Sequence, residues 1–124
     1  MERHPYVTRA IVDEFYYVYN KLGFGFLEQH YAAALEHRLR LARLGVVREY
    51  SVRVMFDGIE LGFHRLDLVV QAHVVVELKA TPVLAPHAKY QLMNYLRATN
   101  LEVGLLLHFG PEPKWYKLCV PNRS

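Results

Sequence analysis

Residues 67–79, DLVVQAHVVVELK, decide how we expect this chain to fold. Two runs of Leu and Val, which favour β-strands, flank a break at residues 71–73 where the chain is able to turn. The pattern predicts two strands that pair antiparallel about Ala72. The other predicted elements are arranged around this hairpin.

The register of the hairpin follows from the alternation of side chains along each strand. Pairing about Ala72 places Asp67 opposite Glu77 and packs Leu66 and Leu68 with Leu78 on the other face. A shift by one residue would set Leu78 beside Asp67, which burial disfavours. The favoured register therefore holds two carboxylates about 5 Å apart at their Cβ atoms.

Two carboxylates at this distance repel each other unless a positive charge lies between them. A hard divalent cation with oxygen ligands is the usual solution, and Lys79 adds an ammonium group one step along the strand. The alternative is a surface hairpin whose Asp67, Glu77 and Lys79 only face water. For these three residues alone the alternative is favoured, because such spacings arise by chance in many proteins.

The composition is typical of one compact domain over residues 1–124, with 52% hydrophobic residues and a net charge of +3. No apolar run approaches the roughly 20 residues of a membrane span, and the N-terminus has no apolar signal core. Cys119 is the sole cysteine, which excludes an intramolecular disulfide and a cysteine-rich zinc site. We therefore expect a soluble, cytoplasmic protein with no membrane partner. The mildly basic charge is compatible with nucleic acid without requiring it.

Hydrophobic periodicity predicts the element order α-α-β-β-β-α-β-β. Thr8 is the predicted N-cap of the first helix, and Gly45 is predicted to end the second. Asp57 and Gly58 predict a two-residue hairpin turn, and Pro86 fits the first turn of the third helix. The predicted helices are residues 8–21, 27–44 and 86–100, and the predicted strands are residues 46–56, 59–70, 73–80, 101–109 and 114–120.

The order of these elements predicts the topology of the sheet. The strand–helix–strand step between residues 74 and 109 should be a right-handed parallel crossover, after three antiparallel strands. Residues 101–109 are almost continuously apolar, which is typical of a buried central strand. The predicted fold class is therefore α/β (α+β), with a mixed central sheet flanked by helices.

Three more polar side chains are predicted to approach the hairpin. Gln91 and Tyr95 lie four residues apart and project from one face of the third helix, and Glu28 lies in the first turn of the second helix. Two of them have a structural alternative. Tyr95 alone is better explained as a core aromatic with its hydroxyl at the surface, and Glu28 also stabilises the N-terminus of its helix.

Other charged side chains favour structural interpretations. Arg38, Arg40 and Arg43 crowd the end of the second helix, where a solvated face that suits the helix dipole is favoured over contacts with phosphate. The seven histidines show no metal-ligand spacing, and we interpret them as structural. His87 is set apart from the rest because it neighbours the predicted site.

Four motifs occur in a fixed order along the chain. They are GFLEQHY at residues 25–31, Asp67, ELK at residues 77–79 and QLMNY at residues 91–95. In these motifs the sequence resembles the GxxExxY proteins, a family of small bacterial proteins placed in the PD-(D/E)XK nuclease superfamily. The resemblance covers nearly the whole chain and implies a restriction-endonuclease-like fold.

The resemblance also implies a metal-dependent phosphodiesterase site that uses Mg²⁺ or Mn²⁺. Asp67 and Glu77 would be metal ligands, with the backbone carbonyl of Leu78 as an extra one. Glu28 looks like the first-helix acid of the superfamily, which is a ligand of the metal or of its water.

The remaining site residues are assigned by the same resemblance. Lys79 would position and polarise the attacking water and offset charge at the phosphate. Gln91 and Tyr95 resemble the Q-x-x-x-Y motif of the RecB-like nucleases, where these residues support the site.

Two functions are therefore considered. The first is a Mg²⁺- or Mn²⁺-dependent nuclease, with DNA as the favoured substrate. The alternative is a non-cleaving nucleic-acid-binding or assembly module, because 124 residues barely exceed a catalytic core. A homodimer would restore the missing surface, with the predicted edge strand at residues 114–120 as a candidate seam. A structural protein with no nucleic acid partner ranks last.

Overall fold

A computed structural model describes residues 4–120 and contains three helices and five strands within that range. The predicted order α-α-β-β-β-α-β-β is confirmed. No helix among these residues has the length and apolar character that a membrane crossing requires. The elements are α1 (Pro5–Leu22), α2 (Glu28–Leu41), β1 (Val46–Phe56), β2 (Ile59–Val70), β3 (Val74–Lys79), α3 (Ala88–Arg97), β4 (Val103–Phe109) and β5 (Pro113–Cys119).

The five strands form one mixed sheet in the order β1-β2-β3-β4-β5. Strands β1, β2 and β3 are antiparallel, β3 and β4 are parallel, and β4 and β5 are antiparallel. Helix α3 makes the crossover between β3 and β4. The predicted mixed topology is therefore confirmed.

Helices cover both faces of the sheet. Helices α1 and α2 bury Phe15 and Leu35 against one face, and α3 buries Leu92 against the other. Along β4, Leu105 belongs to the first cluster and Leu106 to the second, as alternation requires. All seven residues of β4 are buried, which confirms its prediction as a buried strand.

The ends of the first two helices differ from the prediction. Helix α1 begins at Pro5, whose fixed φ suits a first turn, so Thr8 lies inside the helix and is not its N-cap. Helix α2 ends at Leu41, and Arg43 adopts the left-handed conformation with a φ of 65°. Gly45 instead donates its N–H to the side-chain oxygen of Gln71, 2.6 Å away.

The third helix is shorter than predicted at both ends. Pro86 precedes the N-cap His87, so it lies outside the first turn. At the other end the Thr99 hydroxyl donates to the Leu96 carbonyl and accepts from the N–H of Leu101, at 2.9 and 3.0 Å. These local bonds compete with helical ones, which explains why α3 stops before Asn100.

The turn between β1 and β2 is as predicted. Asp57 and Gly58 have φ angles of 50° and 77°. Positive φ at both central residues matches the right-handed twist of the paired strands, which favours Asp-Gly here. The turn therefore fixes the start of a long hairpin.

Replacing Gly104 by alanine should destabilise the protein. A Cβ at this position in β4 would lie 3.0 to 3.2 Å from the methyl groups of Leu92 and Leu96. Overpacking of this kind costs about 1–3 kcal/mol, which urea unfolding measures directly. Gly62→Ala is the control, because nothing lies within 4 Å of a Cβ there. Equal stability of the two variants would contradict the packing of α3 on β4.

Candidate active site

The predicted register of the central hairpin is confirmed. The paired residues of β2 and β3 are Leu68 with Val76, Val69 with Val75, and Val70 with Val74. Beyond the Leu68–Val76 pair, the two strands are joined by hydrogen bonds from backbone N–H groups to side chains. The N–H of Asp67 donates to Glu77 Oε2 at 3.0 Å, and the N–H of Leu78 donates to Asp67 Oδ2 at 2.8 Å. Each carboxylate therefore binds the backbone of the opposite strand.

The predicted packing of Leu66 with Leu78 is wrong. Leu68 and Leu78 lie in the core under α1 and α2, but Leu66 lies in the core under α3. Glu49, next to Asp67 across the β1–β2 pair, has a φ of 55°. The faces of β2 exchange next to this left-handed residue, between Leu66 and Leu68.

Glu77 is a buried acid, 7% exposed, with both oxygens hydrogen-bonded. Oε2 accepts from the N–H of Asp67, and Oε1 lies 3.1 Å from Nε2 of His64. Burial, followed by the hydrogen bond and charge of Asp67, raises the pKa of Glu77 to about 9. The charge of Lys79 opposes this rise. Metal-free Glu77 therefore holds its proton at neutral pH.

Glu28 and Lys79 belong to the same electrostatic group. Partial desolvation and then the charge of Asp67 raise the pKa of Glu28, while Lys79 lowers it. These interactions link Glu28 of α2 to Asp67 of β2 and to Lys79 of β3. Four of the predicted site residues therefore share one electrostatic field.

His64 is a candidate site residue that sequence reasoning missed. Its ring stacks on Tyr95 with centroids 3.8 Å apart and planes 3° from parallel, and its Nε2 contacts Glu77. Desolvation lowers the pKa of His64. Simple alternation would place His64 on the face opposite Glu77, and only the exchange of faces at Asp67 brings the two together. The sequence contains no signal for that exchange, because Glu49 is not a glycine.

Tyr95 therefore reaches the site through His64. Gln91 is half-buried one turn earlier on α3, and no side-chain hydrogen bond from it is found within residues 4–120. Leu78 is buried, and it contacts the site through its N–H, which donates to Asp67. The roles of Gln91 and of the Leu78 carbonyl stay predictions.

The structural interpretation of the basic residues agrees with their contacts. Arg38 pairs with Glu14 at 2.7 Å, and Arg40 pairs with Glu36 at 3.0 Å. His30 accepts the N–H of Leu27 at the start of α2, at 3.3 Å. His87 is the N-cap of α3 without a side-chain cap bond. None of these contacts involves the two hairpin acids.

The donor chemistry of the hairpin suits a hard divalent cation. Asp67 and Glu77 offer carboxylate oxygens in a crowded, buried place, and their mutual repulsion is the kind that such a cation relieves. Within residues 4–120, no three histidine, cysteine or acidic side chains are already assembled as a metal cage. The chemistry of these side chains therefore suits such an ion, with Asp67 and Glu77 as its main candidate ligands.

The raised pKa of Glu77 predicts a pH-dependent stability for the metal-free protein. The folded form retains a proton up to a pH of about 9 that the unfolded chain releases near its ordinary value of 4.5. Between these values the free energy of unfolding should fall as pH rises, by up to about 1.4 kcal/mol per pH unit. Urea unfolding in a chelator at several pH values measures this slope. Glu77→Gln should flatten it, and an equal slope in that variant would refute the assignment.

A family model described as the PD-(D/E)XK nuclease superfamily matches residues 5–118. The crystal structure of SSO0001 is similar with a TM-score of 0.55 and 22% identity, over 73% of this chain and 48% of that chain. This chain thus spans about half the length of SSO0001, and the likeness shows the fold alone. No curated protein matches significantly. With its mixed sheet between helices and a family match over most of its length, the chain belongs to the PD-(D/E)XK nuclease superfamily and has a restriction-endonuclease-like fold.

Proposed function

We propose that this protein is a nuclease that hydrolyses phosphodiester bonds in nucleic acid with the help of Mg²⁺ or Mn²⁺, and that DNA is its substrate. The observation that carries the proposal is the pairing of Asp67 and Glu77 where β2 and β3 cease to bond through their backbones. Membership of the nuclease superfamily supports the same chemistry. We further propose that residues 1–124 act as one catalytic domain in the cytoplasm.

Asp67 and Glu77 would hold the metal ion, together with the backbone carbonyl of Leu78. Glu28 would complete the acidic set from the first turn of α2. When bound, such an ion neutralises phosphate charge and lowers the pKa of a water molecule. The burial of Glu77 and its position beside Asp67 support this assignment, because one cation would offset the charge of two carboxylates held close together.

Lys79 follows these ligands at the end of β3, where it is half-buried. Its ammonium group would orient the attacking water by hydrogen bonding and offset negative charge at the phosphate. Its charge lowers the pKa of Glu28 and of Glu77, which supports a place for Lys79 beside the acids. Lys79 would therefore act on the water and the phosphate rather than on the fold.

The third helix would support the site from one side. Tyr95 holds the plane of the His64 ring by stacking, and His64 in turn contacts Glu77. Gln91, one turn before Tyr95, would hydrogen-bond the substrate phosphate or a water molecule of the site. His64 is thus a positioning residue, because it acts through Glu77.

Asp67→Asn should abolish nuclease activity while the protein stays folded. Asparagine keeps an acceptor for the N–H of Leu78 but loses the charge that would bind a metal ion, so cleavage should fall by about 100-fold or more. The assay is cleavage of single- and double-stranded DNA and RNA with Mn²⁺. Asp57→Asn is the matched control, because Asp57 lies in the distant β1–β2 turn, where asparagine is equally suited.

Three outcomes would contradict the proposed cleavage. The first is equal activity in wild type and Asp67→Asn, which would indicate a contaminating nuclease. The second is salt-dependent DNA binding by the wild type without any cleavage, which would assign the protein to the alternative class of non-cleaving binding modules. Absence of both binding and cleavage would reject nucleic acid as the partner.

His64→Phe should weaken Mn²⁺ binding by about 10- to 100-fold, as loss of a group that orients a metal ligand commonly does. Phenylalanine keeps an aromatic ring to stack on Tyr95 but cannot hydrogen-bond Glu77. Calorimetric titration with Mn²⁺ measures the effect. His37→Phe is the control on the exposed side of α2. Partial recovery in His64→Gln would support a positioning role, and unchanged Mn²⁺ affinity in His64→Phe would reject it.

A further inference from the structure

A cavity of about 450 Å³ lies beside the candidate active site, on the side of the sheet that α3 covers. It is lined by residues 82–84, which follow β3, and by His108, Lys114 and Tyr116 of β4 and β5. Lys79 ends β3 and pairs with His108, so the cavity begins one strand away from Lys79. A volume of several hundred Å³ is typical of ligand sites.

The register of the sheet sets three nitrogen-bearing side chains next to one another. Lys79 of β3 pairs with His108 of β4, and His108 pairs with Lys114 of β5. Paired residues lie on one face of a sheet. Leu106, two residues before His108, belongs to the core under α3, which identifies that face. Neighbouring strands are about 4.8 Å apart, so about 10 Å separates the backbones of Lys79 and Lys114.

His108 fixes the loop that lines the cavity. Its side chain is buried, and its Nε2 lies 2.7 Å from the carbonyl oxygen of Thr81. A carbonyl only accepts hydrogen bonds, so Nε2 carries the proton and donates it to this bond. The Thr81 hydroxyl in turn donates to the carbonyl of Val83 at 2.8 Å. The cavity therefore has its shape before a ligand binds, which lowers the cost of ordering on binding.

The two lysines that adjoin the cavity have no carboxylate partner. Lys89 and Lys114 make no ion pair within residues 4–120, whereas two arginines of α2 pair with glutamates. The ammonium group of Lys89 lies 3.8 Å from the centre of the Tyr116 ring, so its charge acts at the lining of the cavity. Both ammonium groups are therefore available to an anion.

Among the described residues that line the cavity, Glu112 is the one acid. It also acts on the opposite side of the sheet, because burial and then nearby charges that include Glu112 raise the pKa of Tyr19 on α1. Lys89 and Lys114 together exceed the charge of Glu112, and Lys79 adds positive charge on the side of the candidate active site. The cavity therefore favours an anionic ligand.

We propose that the cavity binds one nucleotide unit of the substrate strand, next to the bond that is cleaved, with its phosphate group against Lys114. This assignment rests on the proposed function, because it takes nucleic acid as the substrate. An ammonium group without a carboxylate partner suits a phosphate, and the Tyr116 ring and the apolar residues 82–84 suit the sugar and the base. Lys79 and Lys114 would then contact neighbouring parts of one strand.

Binding of a labelled DNA duplex tests the proposal, measured by fluorescence anisotropy in a chelator so that cleavage plays no part. The duplex has no terminal phosphate, so every phosphate contact is internal. Lys114→Gln should raise the dissociation constant about 10-fold and lower the salt slope of binding by about 0.9, as loss of one phosphate contact does. Lys117→Gln is the matched control, because Lys117 pairs with Leu105 on the opposite face of the sheet.

Glu112→Gln tests the sign of the ligand's charge. Glutamine keeps the size of the side chain but removes a negative charge from the lining of the cavity, so affinity for the duplex should rise about two- to fivefold. A gain in this variant together with a loss in Lys114→Gln is the result expected for a phosphate. Weaker binding by Glu112→Gln would contradict a phosphate in the cavity.

The outcomes distinguish this proposal from the proposed nuclease activity. A wild type that cleaves DNA while Lys114→Gln binds the duplex with wild-type affinity would overturn the cavity proposal and leave the proposed cleavage intact. Equal losses in Lys114→Gln and Lys117→Gln would also overturn it, because they would indicate a diffuse effect of net charge. Binding that depends on Lys114 in a protein without cleavage activity would support the cavity proposal and contradict the nuclease. Absence of any binding would overturn both.

Discussion

The site depends on the reciprocal hydrogen bonds by which Asp67 and Glu77 each bind the backbone of the opposite strand. At the place where β2 and β3 stop pairing, the N–H groups of Asp67 and Leu78 would otherwise be left without acceptors in a largely buried setting. An unsatisfied buried donor costs about 1–3 kcal/mol, so the two carboxylates stabilise the opening between the strands. The acids proposed to bind a metal ion are therefore also structural. For this reason amide variants, which keep an acceptor, separate loss of chemistry from loss of fold.

The sheet and its helices hold this pair in place from two sides. On one side Tyr31 of α2 stacks on Phe109 with ring centroids 4.1 Å apart, and Phe15 of α1 meets the same ring edge-on. Tyr31 lies one turn after Glu28, so the packing that anchors α2 also directs Glu28 towards Asp67. On the other side α3 brings Tyr95 against His64. The polar site is thus positioned by apolar and aromatic packing in both cores.

Alternation of side chains and turn chemistry were enough to predict the element order, the β1–β2 turn and the register of the central hairpin. The same reasoning brought Asp67 and Glu77 together, and the structure adds Glu28 and Lys79 to their electrostatic field. The wrong predictions concern places where the backbone conformation could not be inferred from the residue type. Glu49 and Arg43 are left-handed without being glycine or asparagine, which misled the predictions for Leu66 and for the end of α2.

Calorimetric titration with Mn²⁺ of wild type and Glu77→Gln tests most directly the central claim that the two hairpin acids jointly bind a divalent cation. We expect one binding event in the wild type, its loss in Glu77→Gln, and wild-type behaviour in Asp57→Asn. The titrations are repeated with a short DNA duplex, since phosphate oxygens are also good ligands for such ions. Absence of binding to the wild type with and without DNA, or equal binding by Glu77→Gln, would contradict the account.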